Sequence, residues 1–209
     1  MSTEKRFYLV TVIERLWHWI HAACIVLLVL TGFNIHFAET FNIFGSFETA
    51  VTAHNIIGLV VTFDFALWFA YTLFTRRYSF YVPIKDDMPA GMIKQAMFYM
   101  LGIFQGKPHP FPVTPKRKFN PLQKWTYVGI MFGLIPLMIV TGLYLYFMVT
   151  GVVAFNGMHA YVLSIIHYIG AIFAGFFLFV HVYLATTGHT PLTLFATMIH
   201  GYHDHEEEH

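Results

Sequence analysis

Hydrophobic residues in this chain fall into four long blocks, each cut off by polar or turn-forming residues. The blocks cover about 16–37, 49–75, 125–149 and 159–187. A helix rises about 1.5 Å per residue, so about 20 apolar residues cross a hydrocarbon core about 30 Å thick. The pattern predicts an all-α membrane protein, a four-transmembrane-helix bundle forming a single domain over 1–209. Gly151, Asn156 and Gly157 supply turn chemistry between the last two blocks. The connection between the second and third, 76–124, is long. Its middle places Met92, Ile93, Ala96, Met97, Met100, Leu101 and Phe104 at helical spacing, which predicts a short helix lying in the membrane interface. Its end, PHPFPVTP, should be extended. A polar tail, 188–209, follows the last block.

Composition agrees with this pattern. The chain is 57% hydrophobic and 11% charged, with mean hydropathy +0.59. From Trp125 to His203 there is no Asp, Glu, Lys or Arg, a run that no water-soluble domain of this size leaves uncharged. The positive charges are one-sided. Lys5, Arg6 and Arg15 precede or open the first block, and the other nine of the 12 Lys and Arg lie in the long connection. Cytoplasmic loops carry such an excess, so both termini and the long connection are expected in the cytoplasm. The one cysteine, Cys24, excludes an internal disulfide, and without C-x-x-C-H covalent c-type haem is not expected. The first block is long for a signal peptide and has no convincing cleavage site, so it reads as a retained helix. Nucleic acid is not an expected partner; the lipid bilayer is.

Histidines carry the candidate chemistry. His167 and His181 lie in the fourth block, 14 residues apart. That spacing is roughly 40° short of four full turns and about 21 Å along the axis, so both imidazoles face nearly the same way at different depths. Polar side chains inside a membrane are costly and mark function, and imidazole is the usual protein ligand of haem iron. His18 opens the first block on the cytoplasmic side, and His54 opens the second on the outer side. Depth then pairs His18 with His181 and His54 with His167, two iron sites sharing one helix as a wall. His21, one turn beyond His18, competes with it. His36, His109 and His159 read as interfacial residues. Gly58 and Gly170 sit one turn from the outer histidines, where a missing side chain lets a flat macrocycle approach. Arg15 could neutralise a haem propionate or act as a positive-inside anchor.

The segments RLWHWIHA followed by LTGF, AHNIIG, KFNPLQK with a later VTG, SIIHYIG and HVYLATTGHTP resemble the bacterial di-haem cytochrome b family. That family supplies the membrane subunits of formate dehydrogenases, nickel–iron hydrogenases and thiosulfate reductases. The resemblance covers essentially all four helices and is closest to the thiosulfate-reductase branch. It implies two haem b groups in the bacterial cytoplasmic membrane, with His18 and His181 on the inner haem and His54 and His167 on the outer. It also implies a quinone site beside the inner haem, formed by an Asn-x-x-Gln pair that matches Asn120 and Gln123. A menaquinone or ubiquinone would react there. The implied partners are an iron–sulfur or multihaem c-type electron-transfer subunit and a catalytic subunit on the outer face. The same pair reads independently as a helix start, with Asn120 as cap and Pro121 at the first position.

Asp64 is an acid inside the second block, about 15 Å past His54 by helical rise. It is expected either to relay protons or hydrogen-bond near a haem, or to be held by a threonine of a neighbouring helix. In the tail, His200, His203, His205 and His209 stand among acids; a solvated tail is expected, with weak divalent-metal binding as the other reading. Two further classes stay open. One is a stand-alone quinone-reducing membrane cytochrome, and the other a haem-free metal or proton transporter, suggested by 13 histidines and 10 methionines.

Overall fold

The computed structural model describes residues 6–114, 117–188 and 190–204. Lys5, Lys116, His205 and His209 lie outside the described residues.

Four helical spans are present, as the apolar blocks predict, and each begins where a side chain satisfies the free N–H groups of its first turn. In α1 (Val12–His36), Thr11 and Glu14 form a capping box, with Thr11 N–H donating to Glu14 Oε2 at 2.9 Å. In α2 (Phe47–Phe74), Ser46 Oγ accepts from Thr49 N–H at 3.0 Å. A short helix, α3 (Pro89–Met97), lies in the long connection. The third span runs Pro121–Val149. It comprises α4 (Pro121–Gly129), a π-turn over Ile130–Leu134 and α5 (Ile135–Val149). Pro136 has no N–H to give, and the helix widens just before it. The fourth span is α6 (Gly157–Ala185), where Asn156 Oδ1 accepts from Met158 and His159 N–H, both at 3.1 Å.

The observed spans differ from the sequence bounds by a few residues, most at the third. It starts at Pro121 rather than Trp125 because Asn120 caps it and an ion pair shelters Lys124. The side chains facing outward are those of a lipid-exposed surface: Phe63, Phe176 and Phe179 are 67%, 67% and 75% exposed.

Helices α1 and α2 form one antiparallel hairpin, and α5 and α6 a second. Trp17 of α1 stacks on Trp68 of α2, with centroids 5.3 Å apart, inside a buried cluster of Trp68, Tyr81, Met131 and Ile135. The start of α1, the end of α2, the start of α4 and the end of α6 share one end of the bundle, here the near end. The opposite end is the far end.

Two buried carboxylates tie the long connection to the near end. Glu14 accepts from Arg77 Nε and Nη2 at 2.8 and 2.9 Å and from Lys118 Nζ at 3.0 Å. Asp87 is fully buried. It accepts from Lys124 Nζ at 2.7 Å, from Ile84 N–H at 2.9 Å and from Arg117 Nη2. Its backbone carbonyl accepts from Trp125 Nε1 at 2.9 Å. The expected interfacial helix is α3, prolonged by the turns Phe98–Gly102 and Ile103–Gln105, with Ile93, Met97, Met100 and Phe104 exposed. The described part of PHPFPVTP has no helix, and Thr114 forms a bridge with Arg117.

The tail departs from expectation. Its described part is folded rather than solvated: α7 (Thr193–His200) ends at Gly201, whose φ of +87° suits glycine. A strand, Tyr202–Asp204, then pairs antiparallel with Arg6–Tyr8. Carbonyls in the last turn of α7, which lack helical partners, receive N–H groups from α1: Trp19 Nε1 donates to Met198 at 2.9 Å, and Arg15 Nη1 donates to Ile199.

Candidate functional site

Folding brings the four chosen histidines together in the expected pairs. At the near end the rings of His18 and His181 face each other with centroids 6.1 Å apart and planes at 49°. At the far end His54 and His167 stand 6.2 Å apart at 75°. Two imidazoles coordinating one metal, each at about 2 Å with about 1 Å from nitrogen to ring centre, have centroids about 6 Å apart. Both pairs match that spacing.

The far pair has second partners that fix its protonation pattern. Thr31 Oγ1 lies 2.9 Å from His54 Nδ1, and Thr141 Oγ1 lies 2.8 Å from His167 Nδ1. Each hydroxyl also donates to a backbone carbonyl, Thr31 to Leu27 at 2.7 Å and Thr141 to Leu137 at 2.8 Å. A hydroxyl has one proton and a carbonyl only accepts, so the imidazole Nδ1–H must donate to the threonine oxygen. Both rings then carry a proton on Nδ1, which leaves Nε2 as the nitrogen able to bind metal.

Residues 9–201 match the prokaryotic cytochrome b561 family. The chain is also 38% identical, over 205 residues, to "Putative cytochrome YdhU" of Escherichia coli (strain K12), covering 96% of this chain and 76% of that protein. The chain belongs to the prokaryotic cytochrome b561 family. It is a multi-pass protein of the bacterial cytoplasmic membrane, binds b-type haem and carries electrons. Membership sets aside the haem-free transporter. Among the described residues, no group of three or more His, Cys, Asp or Glu side chains comes together to hold a metal ion.

The residues present fit a b-type haem. The donors are imidazoles in opposed pairs, and apolar side chains stand beside them. Phe177 lies beside His181 with ring centroids 5.6 Å apart. It also lines an apolar groove of 380 Å³ between α6 and the π-turn, with Gly129, Ile130, Leu134 and Val180.

His18, not His21, faces His181. The Nδ1 of His21 pairs with Asp64 Oδ2 at 2.8 Å, and its ring stacks on Trp17 with centroids 4.9 Å apart. Asp64 is thus held by a histidine one turn from His18 rather than by a threonine of a neighbouring helix. His36 stacks on Tyr168, His159 lies 3.2 Å from the Tyr144 hydroxyl, and His109 packs against Phe98. Gly58 has open space where a side chain would stand. Gly170 does not: it is buried against Met138 and serves the packing of α6 on α5. The glycines that approach imidazoles are Gly32 and Gly142. A Cβ there would lie 3.6 Å from His54 Cε1 and 3.2 Å from His167 Cε1.

Thr31, Gly32, Thr141 and Gly142 were not among the residues chosen from the sequence. The signal is a Thr-Gly dipeptide inside an apolar block, at Thr31-Gly32 and Thr141-Gly142; the same dipeptide at Thr150-Gly151 and Thr187-Gly188 lies past a helix end instead. Arg15 reaches the carbonyl of Ile199, which makes it a latch for α7. Asn120 and Gln123 form a capping box: Asn120 Oδ1 accepts from Gln123 N–H at 2.9 Å, and Asn120 N–H donates to Gln123 Oε1 at 3.0 Å. Asn120 Nδ2 donates to the Tyr99 hydroxyl at 3.0 Å. Asn120 is buried and Gln123 exposed; the amide nitrogen of Gln123 is used neither by the capping box nor by the bond to Tyr99. Burial pushes the Tyr99 phenol above its ordinary value, more than the bonds to Asn120 and Gln95 pull it down.

Proposed function

We propose that this chain is a di-haem cytochrome b, the quinone-reactive membrane subunit of a respiratory oxidoreductase. In this reading His18 and His181 hold one haem b and His54 and His167 the other. The observation that carries it is the presence of two opposed imidazole pairs, both at the spacing of a shared metal, joined by α6. Haem supplies a one-electron carrier at each site. The chain supplies the ligands, their orientation and an apolar surround.

The near end is the cytoplasmic end in this reading. The one-sided Lys and Arg distribution supports it, and the structure gathers Arg77, Lys118, Arg117 and Lys124 there. A quinone reacts near Asn120 and Gln123, whose exposed amide offers a donor to a quinone carbonyl. Electrons are exchanged at the far end with an extracytoplasmic iron–sulfur or multihaem c-type subunit. The two sites lie about 21 Å apart along α6 by helical rise, so each electron crosses much of the membrane. Moving a charge through the full potential is worth about 2.3 kcal/mol per 100 mV, so turnover couples to membrane potential.

The test is haem stoichiometry in purified protein. Wild type should give two haem b per chain by pyridine haemochrome assay. His54→Ala should give one, and His21→Ala should keep both. One haem in wild type, or an intact two-haem spectrum in His54→Ala, overturns the reading.

A further inference from the structure

The four imidazoles are not held alike. Thr31 and Thr141 are buried, at 0% and 2% exposure, and each accepts from an imidazole Nδ1–H. At the near pair, His18 Nδ1 is buried with no hydrogen-bond partner among the described residues. His181 packs against the rings of Phe177 and His18. Only the far pair therefore has its outer nitrogens fixed by threonine.

Threonines commonly back-bond to their own helix, so the hydroxyl-to-carbonyl contact alone means little. Thr62 does this, donating to Gly58 O at 2.8 Å. Thr31 and Thr141 differ in that the same oxygen also receives an imidazole proton. Each is followed by a glycine that leaves room for that ring, and each stands on the helix preceding its histidine. The arrangement occurs twice, once per hairpin, on the two ligands of one proposed site.

An acceptor on Nδ1–H draws the proton outward and makes the ring a stronger electron donor through Nε2, which favours the more oxidised metal. We propose that Thr31 and Thr141 are positioning residues of the far site. They fix the tautomer of His54 and His167 and hold the reduction potential of that site below the value it would have without them. This rests on the axial-ligand reading above.

The experiment uses the full chain, purified with haem, in redox titrations followed by absorbance and electron paramagnetic resonance. Variants are Thr31→Val and Thr141→Val, which keep side-chain shape and lose the hydroxyl, with Thr31→Ser as rescue and Thr62→Val as control. The valine variants should raise the midpoint potential of one haem and change its low-spin signal, leaving the other haem unmoved. Serine should restore both readouts, and Thr62→Val should change neither. Loss of the far haem alone in Thr31→Val, restored in Thr31→Ser, supports the same role. Unshifted potentials and signals in both valine variants with full haem overturn it, as does a serine variant no better than valine. A wild type holding a single haem instead refutes the ligand reading, which the stoichiometry assay detects separately.

Discussion

Replacing Asp87 by Asn keeps the shape of a fully buried side chain and removes its charge. Two cations lose their partner: Lys124, whose side chain is 7% exposed, and Arg117, at 21%. Removing one member of a buried ion pair costs about 3–5 kcal/mol because the other charge stays buried. Arg117 can turn toward water, so the lower end, about 3 kcal/mol, applies. In a chain of this size each kcal/mol moves Tm by about 2–4 °C, so Asp87→Asn should unfold roughly 6–12 °C lower at neutral pH. Thermal unfolding in detergent, followed by circular dichroism, measures this.

The pH dependence has a definite sign. Burial pushes the Asp87 carboxyl up, but hydrogen bonds from Lys124 and Ile84 N–H and the charge of Arg117 outweigh it and hold the pKa below its ordinary 3.8. A depressed carboxylate contributes its stability above the ordinary value and loses it as pH falls through the folded-state value. The gap between wild type and variant should therefore be complete at pH 6–8, on the order of two units or more above the ordinary carboxylate range, and should close below about pH 4. Equal Tm values at pH 7, or a gap that persists unchanged into acid, would refute the argument. Because Lys124 and Trp125 both bind Asp87, the first turn of α4 should loosen before either histidine pair does. Quinol-linked activity should fall while haem content holds.

Gln123→Ala should impair quinol-linked activity with both haems retained; unchanged activity and inhibitor binding in both Gln123→Ala and Asn120→Ala would move the quinone elsewhere. A reporter active only outside the cytoplasm should give signal when fused after Thr150 and none after Thr114, and the reverse pattern would invert the near and far ends.

The spans were legible because burial in lipid demands long apolar runs, and the histidine pairs because depth along a helix is a linear function of residue number. What escaped was whatever depended on contacts between helices. His21 and His18 are one turn apart and look equivalent along α1, but rotation sends one to Asp64 and the other to His181. Gly58 and Gly170 stand out in the sequence only by their distance from a histidine on the same helix. The glycines that meet imidazoles, Gly32 and Gly142, lie on the facing helix instead. The tail reads as polar and free because its strand has only three residues and its partner lies at the other terminus.

The two ends of the bundle are built for different chemistry. The far end carries Glu39 and Glu48 in and beside its first connection and no Lys or Arg in either connection. Its histidine pair is fixed by two neutral hydroxyls whose protons are already committed to backbone carbonyls. Those two hydroxyls have no proton left to pass on to a bound group. At the near end His21 and Asp64 form a mutually bonded pair one turn from His18, and Glu14, Lys118, Lys124 and Tyr99 surround the start of α1 and α4. Reducing a quinone takes two protons with two electrons, so it needs groups that gain and release protons. The His21–Asp64 pair supports the proposed quinone site at the near end, beside the Asn120 and Gln123 match. The proton requirement also predicts that Asp64→Asn, which removes the acid but leaves His18 and His181 in place, slows quinone turnover without lowering haem content. Undiminished turnover in that variant would mean that protons reach the quinone by another path.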